Sequence, residues 1–340
     1  MMRGGATFVV LVSGLLLIGV SAVEGRHADQ AAPTAPANDD CMACHAEPTL
    51  TRANGTSLAI DQQLFAASMH GPMACVDCHS DLAALTEYPH AEKLSRVNCA
   101  TCHSDIGTDY DDSIHARARE RSGLNVAPSC AGCHGSHDVL GRSDPKSRVA
   151  PLHVPVTCGV CHEGITARYE SGVHGTALRA GDPQAPSCAT CHTAHDIQRV
   201  DIDATRLRVA EECGTCHQSV VETYARTFHG KVTQLGSAGV AACADCHRSH
   251  DILPASDPAS TVSPGNLMTT CGRCHTGASA SFVQYDPHPN PSDYGRNAAL
   301  WWVNTFYWVL IPACFGFFGL HSLLWFWRAT RDARARTEGR

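Results

Sequence analysis

Lysine is nearly absent from this 340-residue chain. There are three, Lys93, Lys146 and Lys231, and the formal net charge is −7. That balance excludes a nucleic-acid binder, whose footprint is a basic patch. Aromatic side chains are also scarce. Residues 23–296 hold nine of them and no tryptophan. So few large side chains cannot easily fill one protein core over a stretch of that length. Disorder is excluded by an apolar content of 44%. What the chain has in excess is cysteine and histidine, 19 and 21 residues. It is too long for a small disulfide knot.

Eighteen cysteines fall into one pattern, Cys-x-x-Cys-His. The pairs are Cys41/Cys44, Cys75/Cys78, Cys99/Cys102, Cys130/Cys133, Cys158/Cys161, Cys188/Cys191, Cys213/Cys216, Cys243/Cys246 and Cys271/Cys274. The histidines that follow are His45, His79, His103, His134, His162, His192, His217, His247 and His275. This is the attachment signature of c-type haem: two thiols add to the porphyrin vinyl groups, and the adjacent histidine binds iron. A zinc site pairs two CxxC units and needs no histidine after each. A redox disulfide needs none either. Nine motifs predict nine covalent haems, with the porphyrins replacing the missing core. The expected fold is mainly α with extensive loops and little β, wrapped around a haem chain, with one C-terminal transmembrane helix. An apo-chain is expected not to fold.

Both ends of the chain are apolar. Residues 1–22 read as a secretory signal, an apolar run closed by Val20-Ser21-Ala22, with an uncleaved signal anchor as the alternative. A linker, 23–40, leads to a periplasmic nine-haem domain at 41–296. Residues 297–327 carry no charge and can reach roughly 45 Å as a helix, enough to cross a bilayer. Tryptophans flank this span, as an aromatic belt would, and Pro312 is expected to kink it. The tail, 328–340, is net +3 and therefore reads as cytoplasmic. The expected location is the bacterial inner membrane, single-pass, with the haem domain in the periplasm. Residues 23–296 are net −11, which suits partners with a basic face.

From Cys75 onward the motifs form pairs that recur at a nearly constant spacing, opening at Cys75, Cys130, Cys188 and Cys243. They define two-haem repeats at 75–115, 130–174, 188–229 and 243–288. The Cys41 site stands alone. Nine second ligands are needed and nine histidines recur or lie near. His137, His195 and His250 follow the first proximal histidine of a pair by three residues. Leu82 stands there in the first pair, with His90 nearby. His115, His174, His229 and His288 follow the second by 12 or 13, and His70 is left for the lone site. His27, His153 and His321 are surplus, though His153 could displace His90 or His288. A histidine three residues after the proximal one shares its face of a helical turn, so it is expected to cap a neighbouring haem. Asp138, Asp196 and Asp251 either accept that ring's other N–H or serve as turn residues.

With these motifs the sequence resembles the multihaem c-type cytochromes, nearest the doubled-CxxCH type of anaerobic respiratory chains, over residues 41–288. The segment from Asp286-Pro-His-Pro-Asn-Pro to Phe326-Trp-Arg resembles the single-helix anchor of membrane-bound members. The resemblance implies electron transfer between the quinol pool and periplasmic or extracellular acceptors. A C-terminal anchor departs from the N-terminal one usual in quinol-oxidising members. That points instead to a separate b-type membrane subunit as donor, with periplasmic or outer-membrane cytochromes as acceptors. The competing reading is a reductase of nitrite, hydroxylamine or a sulfur oxyanion, which needs one open iron position. Its usual signs, a deviant motif or a long insert, do not occur. Polar His321 and Asn304 lie within the apolar span. His321 either binds a b haem or quinone with a partner helix, or hydrogen-bonds across a helix interface.

Overall fold

The computed structural model describes residues 35–338; the signal segment 1–22, the start of the linker, His27 and the last two residues lie outside the described residues. Among these residues there is no strand, only one isolated bridge between Thr51 and Ser57. The rest is short helices, turns and loops, as a chain with 28 glycines and 18 prolines would form.

The motifs occupy two kinds of place. Four of them open a short helix at their first cysteine: Cys75–Cys78, Cys130–His134, Cys188–His192 and Cys243–His247. These are the opening motifs. Four others begin near the ends of the helices Asn38–His45, Val154–Gly159, Asp203–Cys216 and Leu267–Gly272. The ninth sits on a single 3-10 turn, Cys99–Thr101. These five are the trailing motifs. Three of them run straight into a further helix, Ser104–Asp111, Glu163–Ser171 or Gln218–Tyr224.

After each of those helices a turn starts a new helix one residue before a histidine. These begin at Ile114, Val173 and Phe228. The Ser113 and Thr227 hydroxyls cap two of them, each accepting a backbone N–H at 3.1 Å. The turn is tight enough to demand glycine next to the histidine. A Cβ on Gly71, Gly175 or Gly230 would lie 2.1–2.4 Å from a backbone carbonyl oxygen. Ala116 fills the fourth such place, where the chain continues into a wider π-turn, Arg117–Arg121.

The interior holds almost no apolar side chains. Among the described residues the buried ones are Ala116, Ala127, Ala150, Tyr169, Leu178 and Ala238. Instead one continuous cavity of about 4930 Å³ runs from the Cys41 region to His288, lined by all nine motifs.

The C-terminal helix runs unbroken from Ala298 to Glu338 through Pro312, with a mean hydropathy of 1.8 in its most apolar window and none of that window buried. It is long and apolar enough to cross a membrane. It also continues beyond the expected end at 327, as far as Glu338. The alanines and arginines there are good helix formers, Arg328 and Asp332 pair at i and i+4, and Arg331 stacks over Trp327 at 5.3 Å.

Candidate haem-binding site

Histidine rings face each other in nine pairs, each joining one motif histidine to one of the nine other candidates. The opening motifs give His79–His137, His134–His195, His192–His250 and His247–His288, with ring centroids 6.3, 6.0, 6.0 and 6.3 Å apart. The trailing motifs give His45–His90, His103–His70, His162–His115, His217–His174 and His275–His229, at 6.0, 6.1, 6.1, 6.2 and 6.0 Å. No motif histidine among the described residues is left without a partner and none has two.

Two imidazole nitrogens on opposite sides of one metal ion, each about 2.0–2.1 Å from it, put ring centroids about 6.3 Å apart. The observed gaps match this, and they are too wide for a hydrogen bond between the rings. Divided among nine pairs, the cavity gives about 550 Å³ each, within the size range of a site for one cofactor. The cysteines of every motif line the same cavity. The residues therefore fit haem c.

The electrostatics agree. Burial, and then the facing imidazole, lower the pKa of His115, His134, His174, His192 and His247 below the ordinary 6.5. Burial lowers His137 and His250 as well. Neutral imidazole is the metal-binding form. On His45 one ring nitrogen, Nδ1, is engaged by the Leu58 carbonyl at 2.8 Å, which leaves Nε2 for a metal.

The pairings follow a rule. An opening-motif histidine faces the histidine three residues after the next opening motif. A trailing-motif histidine faces the one that follows the previous trailing motif. The exceptions sit at the ends. Leu82 has no histidine because no opening motif precedes Cys75. His288 has no trailing motif after it and turns to His247. His70 and His90 are exchanged relative to the sequence expectation: His90 faces the lone site's His45, and His70 faces His103. His70 sits five residues after Phe65, in the register of the other trailing-motif partners, which sequence proximity to Cys75 concealed.

Helical geometry does not explain why His134 and His137 go to different partners. The motif helix ends at His134, and the next residue reverses the backbone: Gly135, Thr193 and Arg248 have φ of +84°, +64° and +67° with ψ near 180°. The residues beyond leave in a new direction. Adjacent motifs meet across the sequence pairs as well as within them. Across the pairs, the thiols of Cys41 and Cys75, Cys99 and Cys130, Cys158 and Cys188, and Cys213 and Cys243 lie near one another. Backbone bonds tie the units as well: Met69, Ile114 and Val173 donate to the carbonyls of Val139, Ile197 and Ile252 at 2.7–2.8 Å.

His153 faces no other histidine among the described residues. Its Nδ1 meets the Ser147 carbonyl at 2.9 Å, and Asn266 makes the matching bond to Ser260 at 2.8 Å. Because an amide nitrogen can only donate, His153 is a loop staple that donates too. Asp138, Asp196 and Asp251 pair with Arg148, Arg208 and Arg248, so they act as turn and ion-pair residues. Sequence reasoning passed over Tyr110, Tyr169 and Tyr224, whose hydroxyls donate to the carbonyls of Pro128, Pro186 and Ala241 at 2.6, 2.6 and 2.8 Å. Their signal is legible: each stands five residues before His115, His174 or His229.

The chain is similar to known proteins over parts of its length. A family model described as cytochrome c3 matches residues 182–276, which hold four of the motifs. The multiheme cytochrome MtrC of Shewanella baltica is 29% identical over 126 residues, 36% of this chain and 17% of that protein. Variant-specific surface protein VSP4A1 of Giardia intestinalis is 22% identical over 256 residues, 72% of this chain and 33% of that protein. The chain thus spans well under two thirds of either relative.

Proposed function

We propose that this chain, a multihaem c-type cytochrome, carries electrons through nine bis-histidine haems c between the membrane and acceptors outside it. One observation supports this above the others: nine CxxCH histidines face nine further histidines one to one. Haem c, when bound, supplies a one-electron couple at each pair, and two histidine ligands generally give a lower potential than a histidine–methionine set. The cysteines would fix each group in place and the histidine pairs would hold its iron between them. The thiols of successive motifs lie near one another along the chain, which supports an electron meeting the sites in the order they are written. The reductase reading needs an open axial position, and no motif histidine among the described residues lacks a partner.

The C-terminal helix supports an inner-membrane anchor, with the haem domain in the periplasm and the basic end in the cytoplasm. A quinol-linked b-type membrane subunit is the proposed donor, and periplasmic or outer-membrane cytochromes in anaerobic respiration the proposed acceptors. The acidic haem domain suits acceptors with a basic face. Intact mass of the purified protein tests the count: nine covalent haems are expected, and fewer would overturn it. EPR tests the ligation: low-spin signals throughout are expected, and one full equivalent of high-spin haem would favour a reductase.

A further inference from the structure

Three tyrosines occupy one position in the repeat. Tyr110, Tyr169 and Tyr224 each lie at the end of the helix after a trailing motif, in the pattern Tyr-x-x-Ser/Gly/Thr-x-His. Each hydroxyl crosses to the carbonyl two residues before the next opening motif. The rings lie beside that motif's thiols: Cys130 and Cys133 for Tyr110, Cys188 and Cys191 for Tyr169, Cys243 and Cys246 for Tyr224. Tyr169 is 8% exposed. Burial pushes its phenol up to about 12, so it stays a neutral donor at any physiological pH.

The bond closes a loop of 17 or 18 residues, and the histidine that faces the next trailing motif is on that loop. A fourth copy of the pattern serves as an internal control. Phe65 stands five residues before His70 and has no hydroxyl, but there Cys75 follows the histidine after only five residues instead of 14 or 15. The short connection leaves little loop to restrain. Where the loop is long, the sequence supplies a tether.

We propose that Tyr110, Tyr169 and Tyr224 are positioning residues that hold His115, His174 and His229 on their haems, keeping those three sites six-coordinate and closed to small ligands. The inference rests on the bis-histidine reading above. A six-coordinate haem takes an exogenous ligand only in the fraction of molecules whose histidine has swung away, so apparent affinity reports that fraction. Removing a neutral hydrogen bond raises an opening equilibrium on the order of fivefold.

The test is a cyanide titration of the ferric, fully haem-loaded chain. In Tyr169→Phe one haem equivalent should bind cyanide about fivefold more tightly than in the wild type. Its spectrum should match the haem opened fully by His174→Ala, the one carried by Cys213 and Cys216. Tyr110→Phe and Tyr224→Phe should act in the same way at the haems of His162 and His275, which keeps the idea testable if one variant misfolds. Unchanged cyanide affinity in all three, with haem content intact, would overturn the tether. A tighter site whose spectrum differs from that of His174→Ala would overturn it too. If His174→Ala itself opened no haem, the ligand assignment would fail first and the tether with it.

Discussion

Single residues carry constraints that the haem count alone would not suggest. Gly175 is one: its Cβ position lies 2.2 Å from the Tyr169 carbonyl oxygen. Gly175→Ala should destabilise the holo protein by about 1–3 kcal/mol through overpacking, seen as a lowered unfolding midpoint. Thr193 and Arg248 hold a backbone shape that glycine takes without strain. Thr193→Gly should therefore leave stability unchanged or raise it by about 1 kcal/mol, measured by denaturant titration. Acid should act through the buried histidines. Their folded pKa values are depressed, so an opened state takes up protons that the closed state refuses, and stability falls as pH drops below about 6.5. An optical titration should show low-spin absorption lost on the acid side and unchanged from about pH 7 to 9.

At the scale of elements, the alternation of opening and trailing motifs decides which variant disturbs which site. His195→Ala should open the haem of His134 in the preceding unit, while His115→Ala should open that of His162 in the following one. Redox-resolved spectra should give one high-spin equivalent in each variant, at different potentials. The motifs, the nine partner candidates and the apolar helix were all legible in the sequence, because covalent attachment and membrane burial each demand fixed spacings. The pairings were only partly legible. The reading that His137 serves a neighbouring site follows from its nearness to His134, but the reversal at Gly135 sets its direction, and only glycine there hints at it. The exchange of His70 and His90 was hidden because chain proximity was a poor guide once units interleave. The tyrosine register was visible, but its meaning depended on a carbonyl at the far end of the following loop.

Over the whole molecule, the missing aliphatic core and the long cavity are one fact. Among the described residues the buried apolar ones are four alanines, one leucine and one tyrosine, and burial of protein alone cannot offset the entropy of ordering the chain. Expression without haem attachment should give a chain lacking a cooperative unfolding transition, checked by circular dichroism and calorimetry. With the anchor proposed above, removing residues 298–338 should release a haem-loaded domain into the soluble fraction.

The crossing of ligands between units also has a direction in time. With the ligation proposed above, a chain exported amino end first would deliver most trailing motifs to a histidine that has already emerged: His70 precedes His103, His115 precedes His162, His174 precedes His217, and His229 precedes His275. Opening motifs must wait, since His137, His195, His250 and His288 each come later than the histidines they face. Maturation would then run as a relay, in which each newly exported unit completes the one before it, and the last closes on its own His288.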